Sequence, residues 1–333
     1  MIVDCLYAGV DVSLASLELA IRIGGQCVAT QSYANTDSGV TRLVKELTKQ
    51  SRECRIVLEP TSRYHLRLLL ALAATPGCQV MVINPWRARK FQESWGKRAK
   101  TDPLDAAGLA KLAEQLGDDF IAYTAPSPEL RELQLLGRRL SNIVDQRAKA
   151  KCRAKSYAAD DPANRTAIDS LEREIEFCQQ EVKRIIGQMS GIVDADPAKR
   201  QVFDWLVQTH GIARQSALQL MAELLILPEG MGPSQWTAHA GVDPKPQQSG
   251  KHDPPARISK MGNRYLKRTL FLAAWSIVQH DEHVQEWYNR TCERKKAKML
   301  VLVIAMRKLL HGIWWMLCRQ EPLDVQKCFR IHC

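Results

Sequence analysis

Three strand-like segments at the start of the chain, joined by connections too short for a crossover, are the feature that most narrows its possible folds. LYAGVDV (Leu6 to Val12), LELAIRI (Leu17 to Ile23) and QCVATQSYA (Gln26 to Ala34) read as successive strands, with Gly24 and Gly25 making the second turn. Parallel neighbours need a crossover of about a dozen residues or more, so these segments are predicted to pair antiparallel.

The pattern then changes. Asp37 to Lys49 carries Val40, Leu43, Val44 and Leu47 at amphipathic helical spacing, and RIVLE (Arg55 to Glu59) is a short buried strand. A Leu-rich helix (Tyr64 to Ala74), the strand QVMVI (Gln79 to Ile83) and a helix beginning near Pro103 follow. The order βββαβαβα with a mixed sheet predicts an α/β, RNase H-like domain over residues 1–121.

At 333 residues the chain has room for more than one core. Its 47 Lys and Arg exceed its 36 Asp and Glu, a net charge of +11 that points to a polyanionic partner. The ten cysteines are scattered and form no CxxC pair, which predicts reduced thiols in a cytoplasmic protein. Cys328, His332 and Cys333 lack a fourth ligand and read as an ordinary tail rather than a zinc site. The apolar run Met299 to Met306 is too short to span a bilayer and reads as part of a buried helix, so no membrane association is expected.

Positive charge is concentrated in two regions. From Trp86 to Lys100 six cations, Arg87, Arg89, Lys90, Lys97, Arg98 and Lys100, face one acid, Glu93; this is a solvated loop or a phosphate-gripping arm. Beyond the turn-rich Ala122 to Pro128, two long helices (Pro128 to Ala158 and Ala163 to Met189) are predicted to form a hairpin or coiled-coil arm over residues 122–195. Its first helix has eight cations between Arg131 and Lys155, among them Arg138, Arg139 and Lys151, against two acids, which favours nucleic-acid contact over a mixed solvated face.

Residues 196–333 are predicted to be mainly helical. Leu206 to Leu224 has helix, Gly turn, helix character; such a hairpin can offer backbone N–H groups to phosphate, or serve only as a packing unit. Ala240 to Asn263 is too rich in Pro, Gly and polar residues for regular structure, and loops of that length are functional or disordered.

Four carboxylates stand out. Asp102 and Asp105 suit a helix start, with Pro103 at the first helical position, so judged alone they read as caps. Asp11, however, interrupts an apolar strand and Glu59 ends another, and in an RNase H-like sheet these positions converge with the start of the later helix. Carboxylates brought together repel unless a divalent cation neutralises them, and oxygen-only ligands suit Mg²⁺ or Mn²⁺. The neighbouring cations would hold a polyanion that the acids alone would repel.

GVDVS around Asp11, LEPTSRYH at Glu59, VINP before the basic segment and KTDPLDA at Asp102 and Asp105 resemble the DEDD recombinases of insertion sequences, relatives of the Piv DNA invertases. HGI, AGVDP, QSG and RISKMGNRYLKR resemble that family's C-terminal transposase domain. The resemblance implies a RuvC-like nuclease domain, a coiled-coil arm and a transposase domain. It also implies a structured noncoding guide RNA for target and donor duplex DNA, and a reactive serine that falls on Ser249. Read from its surroundings, Ser249 is an ordinary turn serine whose hydroxyl needs activation to react. Lys251, Arg257 and Lys260 are candidate phosphate contacts.

Cutting several strands in one synapse predicts a homodimer assembling to a tetramer. The rival readings are a metal-dependent junction nuclease with an inert Ser249, an RNA-independent Piv-like invertase, and a noncatalytic nucleic-acid-binding protein whose acids are caps.

Overall fold

A computed structural model describes residues 5–50, 53–60, 62–94, 102–157, 161–245, 257–259, 261–295 and 297–330. The chain divides into two compact units, Met1–Ala125 and Pro126–Cys333.

The first unit runs β1 (Leu6–Val12), β2 (Ser16–Ile23), β3 (Gln26–Ala34), α1 (Asp37–Gln50), β4 (Cys54–Leu58), α2 (Leu66–Ala73), β5 (Cys78–Val82), α3 (Pro85–Glu93) and α4 (Asp102–Gln115). The five strands lie in the order β3-β2-β1-β4-β5. β1, β2 and β3 pair antiparallel, while β1, β4 and β5 pair parallel, so the sheet is mixed as the short early connections require. Leu6, Ala8, Val10 and Val12 pack with Leu43 and Leu47 of α1 and Leu68 and Leu72 of α2 on one face. On the other, Val57 and Met81 pack with Ala88 of α3 and Leu109 and Leu112 of α4. Helices on both faces explain why the central strands read as near-continuous apolar runs.

α3 differs from the loop-or-arm expectation for the basic segment. Pro85 opens the helix, and the Asn84 side chain accepts the Trp86 N–H as its cap. α4 begins at Asp102, with Pro103 as its second residue.

The second unit contains α5 (Pro128–Tyr157), α6 (Arg165–Asp194), α7 (Pro197–Gln208), α8 (Arg214–Leu224), α9 (Pro233–Ala240), the short strands β6 (Pro244–Lys245) and β7 (Arg257–Ile258), α10 (Arg264–His280), α11 (Glu282–Lys295), α12 (Lys298–Arg319) and α13 (Val325–Cys328). α5 and α6 have 30 residues each, about 45 Å of helix, and lie against one another. Leu133, Leu140 and Ile143 of α5 and Val182, Ile185 and Met189 of α6 share one core with α7, α8, α10 and α12. The expected division into 1–121, 122–195 and 196–333 therefore meets a two-unit arrangement, in which the arm's base belongs to the C-terminal core. Between Lys151 and Phe177 no described side chain is buried. α12 is long and apolar enough to cross a membrane, yet half of its apolar window is buried inside this unit.

Candidate catalytic and nucleic-acid sites

Asp11 and Glu59 come together because β1 and β4 are parallel neighbours. Val10 is paired with Leu58, so the two acids occupy the next register position at the same end of the sheet. Side chains alternate along a strand. Val57 faces α4, and Glu59, two residues on, belongs to the same face. Gly9 faces α4 as well: a methyl at Gly9 would collide with the Ala106 carbonyl oxygen and the Ala110 nitrogen. Asp11 follows Gly9 by two residues, so both acids are on the α4 face. Each is partly exposed.

Three levels fix the direction of α4 across that face. Arg22, the register partner of Tyr7, donates to Glu114 at 2.9 Å. Ala20, opposite Gly9, packs with Ala106 and Ala110. One pleat further stand Asp11 and its partner Glu18, while along α4 Asp105 immediately precedes Ala106 and Asp102, the first residue of the helix, is one turn back. The start of the helix thus lies at the strand ends that carry Asp11 and Glu59. Asp102 and Asp105 both fall in the first turn of the helix. Among the described side chains, no group of three or more His, Cys, Asp or Glu is near enough to hold a metal ion. Glu18, which accepts a 2.6 Å hydrogen bond from Ser32, adds a carboxylate that sequence pattern alone did not single out.

A second residue missed in the sequence is Asn35, which is 8% exposed. Its side-chain amide donates to the Ser13 carbonyl at 2.9 Å and the Tyr64 carbonyl at 3.2 Å. It thereby ties the turn after Asp11 to the loop after Glu59. Its Oδ1 is buried without a partner, as is Nδ1 of the adjacent loop's His65, whose pKa is pushed down by burial. The only sequence signal was an Asn following a strand, which reads as a turn residue.

In the helical unit, Asp243 and Ser259 close the foot of the QSG loop: Ser259 N–H donates to the Asp243 carbonyl at 3.0 Å, and its hydroxyl donates to the Asp243 carboxylate. β6 and β7 pair antiparallel there. Gly241 and Gly262 touch backbone to backbone, an approach any side chain would block. Asn263 caps α10 by accepting the Tyr265 and Leu266 N–H groups, and donates at 2.6 Å to Glu223. Ser249, Lys251 and Lys260, like Lys97, Arg98 and Lys100, lie outside the described residues; Arg257 is placed by its backbone in β7.

The remaining predicted contacts separate into two groups. Arg87, Arg139 and Lys151 are exposed. Arg89 and Lys90 pair on the surface with Glu93, at 2.9 and 2.6 Å. Arg138 points inward instead, gripping Glu223 with Nε at 2.8 Å and Nη2 at 3.0 Å. Its fork is committed to a carboxylate of α8, which accounts for its place in the basic run without a ligand.

A mixed sheet of this order is consistent with an RNase H-like domain, and the class of protein is an α/β unit joined to a helical one. Two family models match the chain: one described as Transposase over residues 8–158, and one as Transposase IS116/IS110/IS902 family over residues 204–289. Together they span well over half of the sequence, and the chain belongs to this family of insertion-sequence transposases, enzymes acting on DNA. It is similar to the pilin gene-inverting proteins of Moraxella bovis and Moraxella lacunata, 22% identical over 340 and 343 residues and covering 98% of each chain. It is also similar to the y4rJ protein of Sinorhizobium fredii, 24% identical over 264 residues and 66% of each chain.

Proposed function

We propose that this transposase is a site-specific recombinase that cuts and rejoins DNA through a phosphate linked to Ser249. The observation that carries the reading is the shared face of Asp11 and Glu59 at adjacent parallel strand ends, level with the start of α4. Asp11, Glu59, Asp102 and Asp105 would hold Mg²⁺ or Mn²⁺, since their donors are all oxygen. Such ions, when bound, stabilise the attacking and leaving oxygens of an in-line displacement.

Ser249 would attack phosphorus with its Oγ after losing its proton. A serine–phosphate bond forms, one strand's P–O bond breaks, and that strand leaves as a hydroxyl on taking up a proton. Attack by a second strand's hydroxyl reverses these changes, so the phosphodiester is conserved without an external energy source. Several such cuts in one synapse require a dimer, assembling to a tetramer.

Phosphate contacts carry almost no sequence information, whereas base pairing with a guide supplies it. The +11 charge supports a structured noncoding RNA as the second partner. The Moraxella relatives, named pilin gene-inverting proteins and matched over 98% of their length, favour a DNA invertase as the second reading, to which RNA independence is the further premise. The test is recombination of cognate DNA by purified protein and Mg²⁺, with and without the noncoding transcript that flanks the gene. RNA-dependent joining with a DNA adduct mapped to Ser249 is the expected result. Equal joining in both arms selects the invertase, and cleavage without joining by parent and Ser249→Ala alike selects the nuclease.

A further inference from the structure

We propose that a cleft between α5, α6 and the start of α10 binds the sugar–phosphate backbone of a nucleic acid, with Lys149, Arg153 and Arg264 as its phosphate contacts. This rests on the nucleic-acid reading above and assigns it a place. The cleft has a volume of about 640 Å³ and is lined by Asn142, Asp145, Lys149 and Arg153 of α5, Glu174 of α6, and Arg264, Tyr265 and Arg268 of α10.

Its charges are not equivalent. Arg268 is paired with Asp145 at 2.5 Å and donates to the Ser141 carbonyl at 3.3 Å, which ties α10 to α5. Glu174 accepts from Gln146 at 3.0 Å, a contact between the arm's two helices. The two acids of the cleft are thus engaged in holding its walls. Among the described residues, Lys149, Arg153 and Arg264 form no ion pair with a carboxylate, and all three are exposed. Lys149 and Arg153 are one helical turn apart, about 6 Å along α5.

Arg264 is held ready. Its Nη2 donates to the Tyr265 hydroxyl at 2.9 Å, and its guanidinium lies 4.8 Å from the centroid of that ring. The Tyr265 hydroxyl donates in turn to Asn142 at 3.4 Å, and Arg138 lies 5.4 Å from the same ring. The Arg264 hydrogen bond and charge lower the Tyr265 pKa. A guanidinium oriented in this way loses less freedom on gripping phosphate, and its planar fork matches two phosphate oxygens. The arginines beside Tyr265 leave backbone contact, rather than base stacking on an open ring, as the mode the cleft favours.

The experiment measures binding of the full chain to a fluorescent RNA hairpin, a DNA duplex and a DNA single strand across a salt series. Lys149→Ala/Arg153→Ala/Arg264→Ala is compared with Arg294→Ala/Lys295→Ala/Lys298→Ala, an equal charge change at exposed positions elsewhere in the same unit. The cleft variant should lose at least about tenfold in affinity for one probe class or more, and its log–log salt slope should flatten by about 2.7 on duplex DNA or about 2 on a single strand. The probe that suffers most identifies the source of the backbone. Arg264→Lys, which keeps the charge, should recover part of the loss seen in Arg264→Ala, and melting curves should match the parent. Parent-like binding by the cleft triple on every probe, with the parent still binding, would overturn the cleft while leaving the recombinase reading intact. No binding by the parent to any probe would overturn both.

Discussion

Glu223 is 3% exposed and accepts four hydrogen bonds from Arg138, Gln134 and Asn263, whereas Asp11 and Glu59 stand partly open at the ends of two strands. Three of these bonds converge on Oε2 and one on Oε1, so most of the lone-pair sites of Glu223 are taken up by the fold. These bonds join α5, α8 and the cap of α10. Asp11 and Glu59 share a face that solvent, and therefore a ligand, reaches. Glu223 is an architectural acid, buried among its partners, whereas Asp11 and Glu59 are acids that solvent reaches.

The largest expected effect lies on the accessible side. Asp11→Ala, Glu59→Ala, Asp102→Ala and Asp105→Ala should each lower recombination by about a thousandfold or more, equivalent to several kcal/mol of lost transition-state stabilisation, with melting close to the parent. Parent-like joining by both α4 variants would restore the cap reading for that helix.

On the architectural side the expected loss is in stability. Arg138→Met strands the Glu223 charge in the core and should cost about 3–5 kcal/mol in denaturant unfolding. Glu223→Gln should cost less, because Arg138 is 35% exposed and turns to water when its partner is neutral. Equal losses would erase the distinction.

Gly9→Ala couples the two kinds of effect. The added methyl meets α4 backbone rather than a pliable side chain, so about 1–3 kcal/mol of stability should be lost as the helix shifts. Recombination should fall further than that destabilisation explains, since the same helix carries Asp105.

The smallest effect is on pH. Burial lowers the His239 pKa, partly offset by Glu223. The unfolded chain then binds the proton first, so stability is complete above the ordinary histidine value of about 6.5 and falls as pH drops below it toward the folded pKa. His239→Gln should flatten that fall, with a ceiling of about 1.4 kcal/mol per pH unit, in unfolding measured from pH 7 to 5.

The central strands were legible because two-sided burial writes long apolar runs, the exposed β3 because a short Gly turn joins it to β2, and α1 because its apolar residues recur at helical spacing. α3 was not legible: Ala88 and Phe91 are too few to mark a face, and its start depends on the Asn84 cap. Asp11 and Glu59 stood out as charge inside apolar strands, but their shared face needed the pairing of β1 with β4. Arg138 was read as one cation in a basic run because its partner is 85 residues away. Asn35 and Glu18 were hidden for the same reason, each acquiring its place through contacts that sequence spacing does not display.

The outer part of the α5–α6 pair, with no described side chain buried between Lys151 and Phe177, has a consequence for evolution. Where no residue is committed to a core, matched turns can be added to or removed from both helices without reopening one. Reach is then a quantity that natural selection can adjust by insertion and deletion, while the residues at the base stay constrained by their neighbours. Members of such a lineage can diverge in the span of their arms long before they diverge in the packing from which those arms spring.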